Sequence, residues 1–371
     1  MHVSCYIQPI RTFVPTTGAG KHINSTILEL NKLDDVTCNL LCSSQWLVDG
    51  KLPEVCLLRD FPTCSFPFKE RHAEWLWKLL QRPQLDRWAK GADWIYSAAD
   101  ALLPAKDIPV AITVYDIHPL DPLFPVDDQR SRNQQAKRWK FWVPRAIERS
   151  DVVFTISEFS KSRMVELLGA PPEKIVVVGC GVESSFFDIA TVDPTELNVR
   201  APLPYVIVVG GLGFRKAGDV VLDVARQLTR IGSPLTIVVA GNNEPQYLDE
   251  AKSLPNLELL GKVSDDELPS LVRGASSLLM LSRYEGFGIP PAEAMAAGVP
   301  VVVSATTSLP EVVGEAGIQV ALDRPSNAAE SLELLRVDSK LRENRIQAGR
   351  IRADSLRWEN VAARIHDRFQ R

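Results

Sequence analysis

Twice along this chain, short runs of β-branched residues alternate with longer amphipathic stretches, and few folds accommodate that order. Strands separated by helices cannot form hairpins, so they pair in parallel through crossover helices. In the first half the strand candidates are residues 2–8, 37–42, 110–115, 152–156 and 175–179, with helices expected over 20–33, 132–150 and 158–168. The second half restarts the pattern with strands at 205–209, 235–240, 257–260, 278–281 and 299–304, and helices near 218–231, 265–274 and 291–297. Residues 188–204 hold Pro194, Pro202 and Pro204 and show no period, which reads as a linker. The expectation is an α/β chain of two facing Rossmann-like domains, 1–187 and 205–354, with parallel sheets and an interdomain cleft. Ligands of such sheets bind outside the carboxyl ends of the strands. Functional residues are therefore sought in the loops after Gln8, Tyr115, Val209, Ala240, Leu281 and Ser304.

Composition narrows the function classes. At 371 residues, each half is long enough to bury its own core. No apolar run approaches the roughly 18–20 residues of a membrane span. The start, Met1-His2-Val3-Ser4-Cys5-Tyr6, lacks a basic region followed by an apolar stretch, so no secretory leader is expected. A net charge of −4 argues against a nucleic-acid binder. The six cysteines show no C-x-x-C spacing and read as reduced cytosolic thiols.

Three loops carry chemistry. Pro15-Thr16-Thr17-Gly18-Ala19-Gly20-Lys21 opens a helix, where Gly18 and Gly20 let backbone amides approach an anion. The same residues also make a plain tight turn. Gly210-Gly211-Leu212-Gly213-Phe214-Arg215-Lys216 has Lys216 where a dinucleotide fingerprint needs its third glycine, and no carboxylate ends the next strand. Arg215 and Lys216 suit a diphosphate instead, the one with a planar fork of donors and the other with a mobile point charge. Without context, an adjacent basic pair is more often simply a solvated loop. In the third loop, Arg283-Tyr284-Glu285-Gly286-Phe287-Gly288-Ile289-Pro290-Pro291-Ala292-Glu293, the prolines start a helix where a missing N–H costs nothing. Glu293 sits among small apolar residues, so a solvated face is a poor explanation for it. Facing a cleft, such a carboxylate accepts two hydrogen bonds from a vicinal diol.

This third segment, E-G-F-G-x-P-x-x-E-A-M-A-x-G-x-P-V, resembles the donor-site signature of glycosyltransferase family 4. Further matches fall in order along nearly the whole chain: Gly18-Ala19-Gly20, Thr155 to Ser160, Gly210 to Lys216, Ser308 to Val313, and Trp358-Glu359. The resemblance implies a GT-B fold, with the acceptor in the N-terminal domain and a nucleotide sugar in the C-terminal one. It also implies retention of anomeric configuration, no metal and no cofactor, and a final helix, residues 355–371, that crosses back to the first domain. No Asp-x-Asp occurs in the chain. By matched position, Arg215 and Lys216 would neutralise the departing diphosphate, with Gly18, Gly20 and Gly210 also on the donor side. Glu293 would hold the ribose and Glu285 the sugar ring, with Gly286, Phe287, Gly288 and Ile289 offering backbone groups. Glu311 would line the same cavity. Where the family often has His-Asp, this chain reads Tyr115-Asp116-Ile117-His118-Pro119, which is similar to bacterial mannosyltransferases of surface-polysaccharide assembly. Tyr115 and Asp116 would meet the acceptor. His118 either replaces the missing imidazole or is an ordinary loop histidine.

The implied partners are a nucleotide-sugar donor, GDP-mannose or a UDP-sugar, and a saccharide or lipid-linked acceptor. A nucleotide-sugar epimerase and a non-catalytic nucleotide-sugar-binding protein are the competing classes. Two segments, 66–90 and 130–150, interleave basic residues with tryptophans. Both suit an anionic bilayer and both suit an amphipathic helix with its aromatics in the core. A cytoplasmic protein, at most peripheral on the inner face of the membrane, is expected.

Overall fold

The computed structural model describes residues 1–8, 18–125 and 129–371. The chain forms two compact units. The first comprises Met1–Asp121, Arg130–Gly181 and Trp358–Arg371, and the second Pro122–Gln129 and Val182–Arg357.

In the first unit the strands are β1 (His2–Tyr6), β2 (Thr37–Ser43), β3 (Thr63–Phe66), β4 (Trp94–Ser97), β5 (Val110–Thr113), β6 (Val152–Thr155) and β7 (Ile175–Val177). They form one sheet in the order β3-β2-β1-β4-β5-β6-β7, and every pair is parallel. Side chains alternate between its faces, as the pleat requires. Val3 and Cys5 enter one hydrophobic cluster and Tyr6 the other. The final helix, Trp358–Phe369, follows the second unit in sequence but supplies Trp358, Val361, Ala362, Ile365 and Phe369 to the first unit's core. That spacing is one helical face.

The second unit holds β8 (Tyr205–Val209), β9 (Thr236–Ala240), β10 (Leu257–Gly261), β11 (Ser277–Met280), β12 (Val301–Ser304) and β13 (Ile318–Val320) in the order β10-β9-β8-β11-β12-β13, again all parallel. Its helix Gly218–Arg230 buries Val220, Val221, Val224, Ala225 and Leu228 while keeping Asp219 in its first turn and Arg230 in its last, in keeping with the helix dipole. Residues 188–204 contain two short 3₁₀ turns, Ile189–Thr191 and Pro194–Glu196, within this unit.

Three strands lay beyond the sequence pattern: Thr63–Phe66, Trp94–Ser97 and Ile318–Val320. Each has three or four residues, too few to display a period, and pairing to a neighbour is what makes them strands. In both sheets the order reverses beside the first strand, between β1 and β4 and between β8 and β11. Those two points are where a doubly wound sheet offers a ligand crevice.

Candidate active site

The loop after β8 is shaped by backbone conformations that favour glycine. Gly210 and Gly211 have φ of 107° and 80°, and a Cβ on Gly211 would lie 1.8 Å from the Asn242 carbonyl oxygen. The Leu212 and Phe214 amides donate to Asn243 Oδ1 and Glu244 Oε2 at 2.8 and 3.0 Å. The loop then delivers Arg215 and Lys216 to the end of β11.

There the two cations meet one carboxylate. Arg215 Nη1 and Lys216 Nζ both donate to Glu285 Oε1, at 2.5 and 2.7 Å, and the Ser282 hydroxyl donates to the same oxygen at 3.0 Å. Burial holds Lys216 below the usual lysine range; the Arg215 charge adds to the effect and Glu285 opposes it. Burial pushes the Glu285 carboxyl up, but the Lys216 and Arg215 charges and the bonds from Lys216 and Ser282 outweigh it, so the net shift is downward. Two cations on one carboxylate leave a net charge of about +1 in a mostly buried place. Arg215 remains 39% exposed. The charge that would complete this cluster is an anion.

The Glu285 loop is tied down by a run of hydroxyls after β12. The Glu285 amide donates to Thr307 Oγ1 at 3.0 Å, and the Ser308 hydroxyl lies 2.8 Å from the carbonyls of both Glu285 and Phe287. Ser304 and Thr306 donate to the Ser282 carbonyl. Arg283 joins the two loops. Its guanidinium donates to both Asp219 oxygens (2.9 and 2.6 Å) and to the Phe214 carbonyl (2.7 Å), and its own amide donates to the Arg215 carbonyl. Sequence reasoning gave no role to Ser282, Arg283, Asp219, Thr307 and Ser308. Arg283 and Ser308 stood inside quoted segments, and the hydroxyl-rich run 304–308 was the trace of Thr307.

Gly288, with φ of 108°, leads into the helix Ile289–Ala296, whose first turn holds Pro290 and Pro291. A side chain at Gly288 would meet Leu309 at 2.5 Å. Gly286 and Phe287 are buried and Ile289 is half-buried. Glu293 is buried on this helix at 5% exposure. Glu311 sits in the short helix Leu309–Val313, its carbonyl accepting from Arg352 at 2.8 Å.

The remaining sequence-derived residues lie in the first unit. Gly18 and Gly20 are the first and third residues of the helix Gly18–Leu30. The preceding residues, 15–17 of that loop, fall outside the described residues. Tyr115 follows β5, but its hydroxyl donates to the Ala98 carbonyl at 2.5 Å and its ring meets the buried His22 edge-on at 5.0 Å. Asp116 Oδ1 accepts from the His118 amide (3.1 Å) and lies 2.6 Å from His118 Nδ1, so the two side chains act as a pair. At the first unit's own reversal point is a cavity of about 210 Å³, with Tyr6, Gln8, Glu74, Asp100 and Trp142 among its walls. Among the described residues, no three His, Cys, Asp or Glu side chains are grouped as a metal site requires.

Two doubly wound parallel units with a cation pair at the reversal point of the second define a GT-B protein. An Anabaena protein, Alr3699/HepE in complex with UDP-glucose, superposes with a TM-score of 0.68 over 100% of this chain and 99% of its own, at 16% identity. Residues 16–186 match the family model Glycosyltransferase Family 4, and residues 192–352 match Glycosyl transferases group 1. The two matches together span most of the chain, which belongs to the group 1, family 4 glycosyltransferases. It is similar to the O-antigen chain mannosyltransferase B of Escherichia coli, 29% identical in a 304-residue alignment that covers 78% of each chain. It is also similar to the MMP alpha-(1->4)-mannosyltransferase of Mycolicibacterium hassiacum, 30% identical over 62% of this chain and 57% of that one.

Proposed function

We propose that this glycosyltransferase moves mannose, with retention and without a metal ion, from GDP-mannose to a saccharide or lipid-linked saccharide during surface-polysaccharide synthesis, at the cytoplasmic face of the membrane. The observation that carries the reading is the partly buried Arg215–Lys216–Glu285 cluster at the β8–β11 reversal point, with its unbalanced positive charge. In this reading residues 205–354 bind the donor and residues 1–187 the acceptor. Arg215 and Lys216 exchange the Glu285 carboxylate for the donor diphosphate and stabilise the charge that grows on it as the glycosidic bond breaks. Glu285, released from the cations, accepts hydrogen bonds from the sugar hydroxyls. Glu293 takes the ribose hydroxyls, and amides of residues 286–289 complete the donor contacts. Asp116, oriented by His118, meets the acceptor hydroxyl or the positive charge developing on the sugar. Tyr115 serves as the support behind them, since its hydroxyl is engaged by a backbone carbonyl. The mannose assignment draws support from the two mannosyltransferase relatives.

A UDP-sugar is the second reading, favoured by the likeness to the Anabaena UDP-glucose complex across the full chain. Calorimetry with GDP, UDP, GDP-mannose and UDP-glucose, with and without magnesium, separates the two. Metal-independent binding of the guanosine series supports the first reading and binding of the uridine series the second. Binding of neither overturns the donor assignment. Donor consumed without acceptor to give an epimeric sugar nucleotide would mark an epimerase.

A further inference from the structure

The two basic, tryptophan-bearing segments look alike in sequence, yet the fold treats them differently. On the helix Gln129–Arg149, Trp142 is buried, Trp139 packs against it with ring centroids 5.7 Å apart, and Arg145 stacks on Phe141. That is an amphipathic helix with its tryptophans packed on the inner side and Phe141 left outside under Arg145. The helix Glu70–Leu80 buries only Ala73 and Trp77 and leaves Trp75, Leu79 and Leu80 at 60%, 53% and 63% exposure. A groove continues from it, lined by Leu76, Leu80, Pro83, Gln84, Arg82 and Arg87.

Within segment 66–90 the charges are sorted by sign. Each acid of segment 66–90 has an internal partner. Glu70 accepts from Trp46 Nε1 at 2.7 Å, Glu74 accepts from Gln8 at 2.8 Å, and Asp86 accepts from the amides of Lys106, Asp107 and Ile108. The cations Lys69, Arg71, Arg82, Arg87 and Lys90 are exposed. An apolar edge carrying a tryptophan and rimmed by charge of one sign matches an anionic bilayer: the indole and leucines enter the headgroup region while the cations meet lipid phosphates. A protein-docking patch would have an interspersed polar rim.

We infer that the exposed face of the helix Glu70–Leu80, with the following turn through Lys90, docks the enzyme on anionic lipid. The inference rests on the reading of a lipid-linked acceptor at the membrane and names the surface that brings the enzyme to it. The test is co-sedimentation of the full chain with vesicles of phosphatidylcholine plus phosphatidylglycerol, and of phosphatidylcholine alone. Wild type should partition at least about tenfold more strongly onto the anionic vesicles. Removing one surface cation costs about fivefold, so Arg82→Glu with Arg87→Glu and Lys90→Glu should lower partitioning by about a hundredfold or more. Trp75→Ser with Leu79→Ser should lower it by at least about tenfold. All five positions are exposed, and far-ultraviolet circular dichroism checks that the variants fold.

Equal binding to both vesicle types, binding to neither, or unchanged binding of the charge-reversed variant overturns the inference. So does light scattering that shows a dimer built on this face with no vesicle binding. Calorimetry with GDP-mannose on the same samples keeps the two readings apart. For wild type, absent vesicle binding with nucleotide binding present overturns the docking surface alone, and the converse overturns the donor assignment alone; the variants should lose vesicle binding and keep nucleotide binding.

Discussion

The two units share one strand order around the reversal point and equip that point with different chemistry: a cation pair in the second, a mixed-charge polar cavity in the first. In the second unit, β8 and β11 end in loops that lock two cations onto one carboxylate, stapled by Arg283 and by the hydroxyls of Thr307 and Ser308. In the first unit, β1 and β4 end around a cavity whose walls mix three carboxylates (Glu70, Glu74 and Asp100) with Lys78 and Arg138, a phenol and two indoles. Its Asp116–His118 pair stands one strand further out, after β5. A compact, preorganised positive site suits an invariant diphosphate. A looser polar cavity suits a varied, hydroxyl-rich partner. In the proposed reading one topology would serve two ligand classes, because the sheet only places the loops and the loops choose the charge.

The sharpest way to break this division is to mutate each side and ask which step suffers. Lys216→Ala should lower the turnover number about a thousandfold at nearly unchanged donor KM, since it removes charge needed mainly in the transition state. Steady-state kinetics decide it, and unchanged turnover would remove the cation pair from the chemistry. For Asp116→Asn the expectation is transfer lowered about a hundredfold, while the donor affinity read by calorimetry stays as in wild type. Weakened donor binding there would erase the contrast between the units.

A third test uses acid. His22, buried in the first unit between Tyr115 and Trp358, is pushed down to about 4 by burial. The unfolded chain takes up a proton near 6.5 and the folded one only near 4, so stability present above 6.5 is lost as pH falls toward 4. The loss between pH 7 and pH 5 should be about 2 kcal/mol. All eight tryptophans lie in the first unit, so denaturant titration followed by tryptophan fluorescence reads that unit directly. His22→Gln should abolish most of the pH 7 to pH 5 difference, and an unaltered difference would place the sensitivity elsewhere. The smallest effect belongs to the staple. Arg283→Lys retains a charge but loses the fork that bonds both Asp219 oxygens, so turnover should fall about tenfold with the fold intact. Turnover equal to wild type would mean that the two loops hold their geometry unaided.

The legibility of these features follows from how local each one is. The E-G-F-G segment could be read because its glycines, prolines and Glu293 work within one loop and one helix start. Arg215 and Lys216 were visible as residue types, but their partner Glu285 stands about seventy positions away, and no spacing joins them. Arg283–Asp219 was invisible for the same reason. Tyr115 read as an acceptor contact, whereas its hydroxyl is directed to the Ala98 carbonyl. Segments 66–90 and 130–150 could not be told apart, since composition does not say which tryptophan the core will take.

By itself the sequence determined the doubly wound character of each half, through the alternation of β-branched runs and amphipathic helices, and the residue types of the donor loop. These are properties of a residue and its near neighbours, set by propensity, periodicity and turn geometry. Tertiary structure alone decided which charges neutralise one another, which indoles stay in water, and that the last helix completes the first unit's core. Those outcomes depend on distances between residues far apart in the chain, and only packing sets such distances.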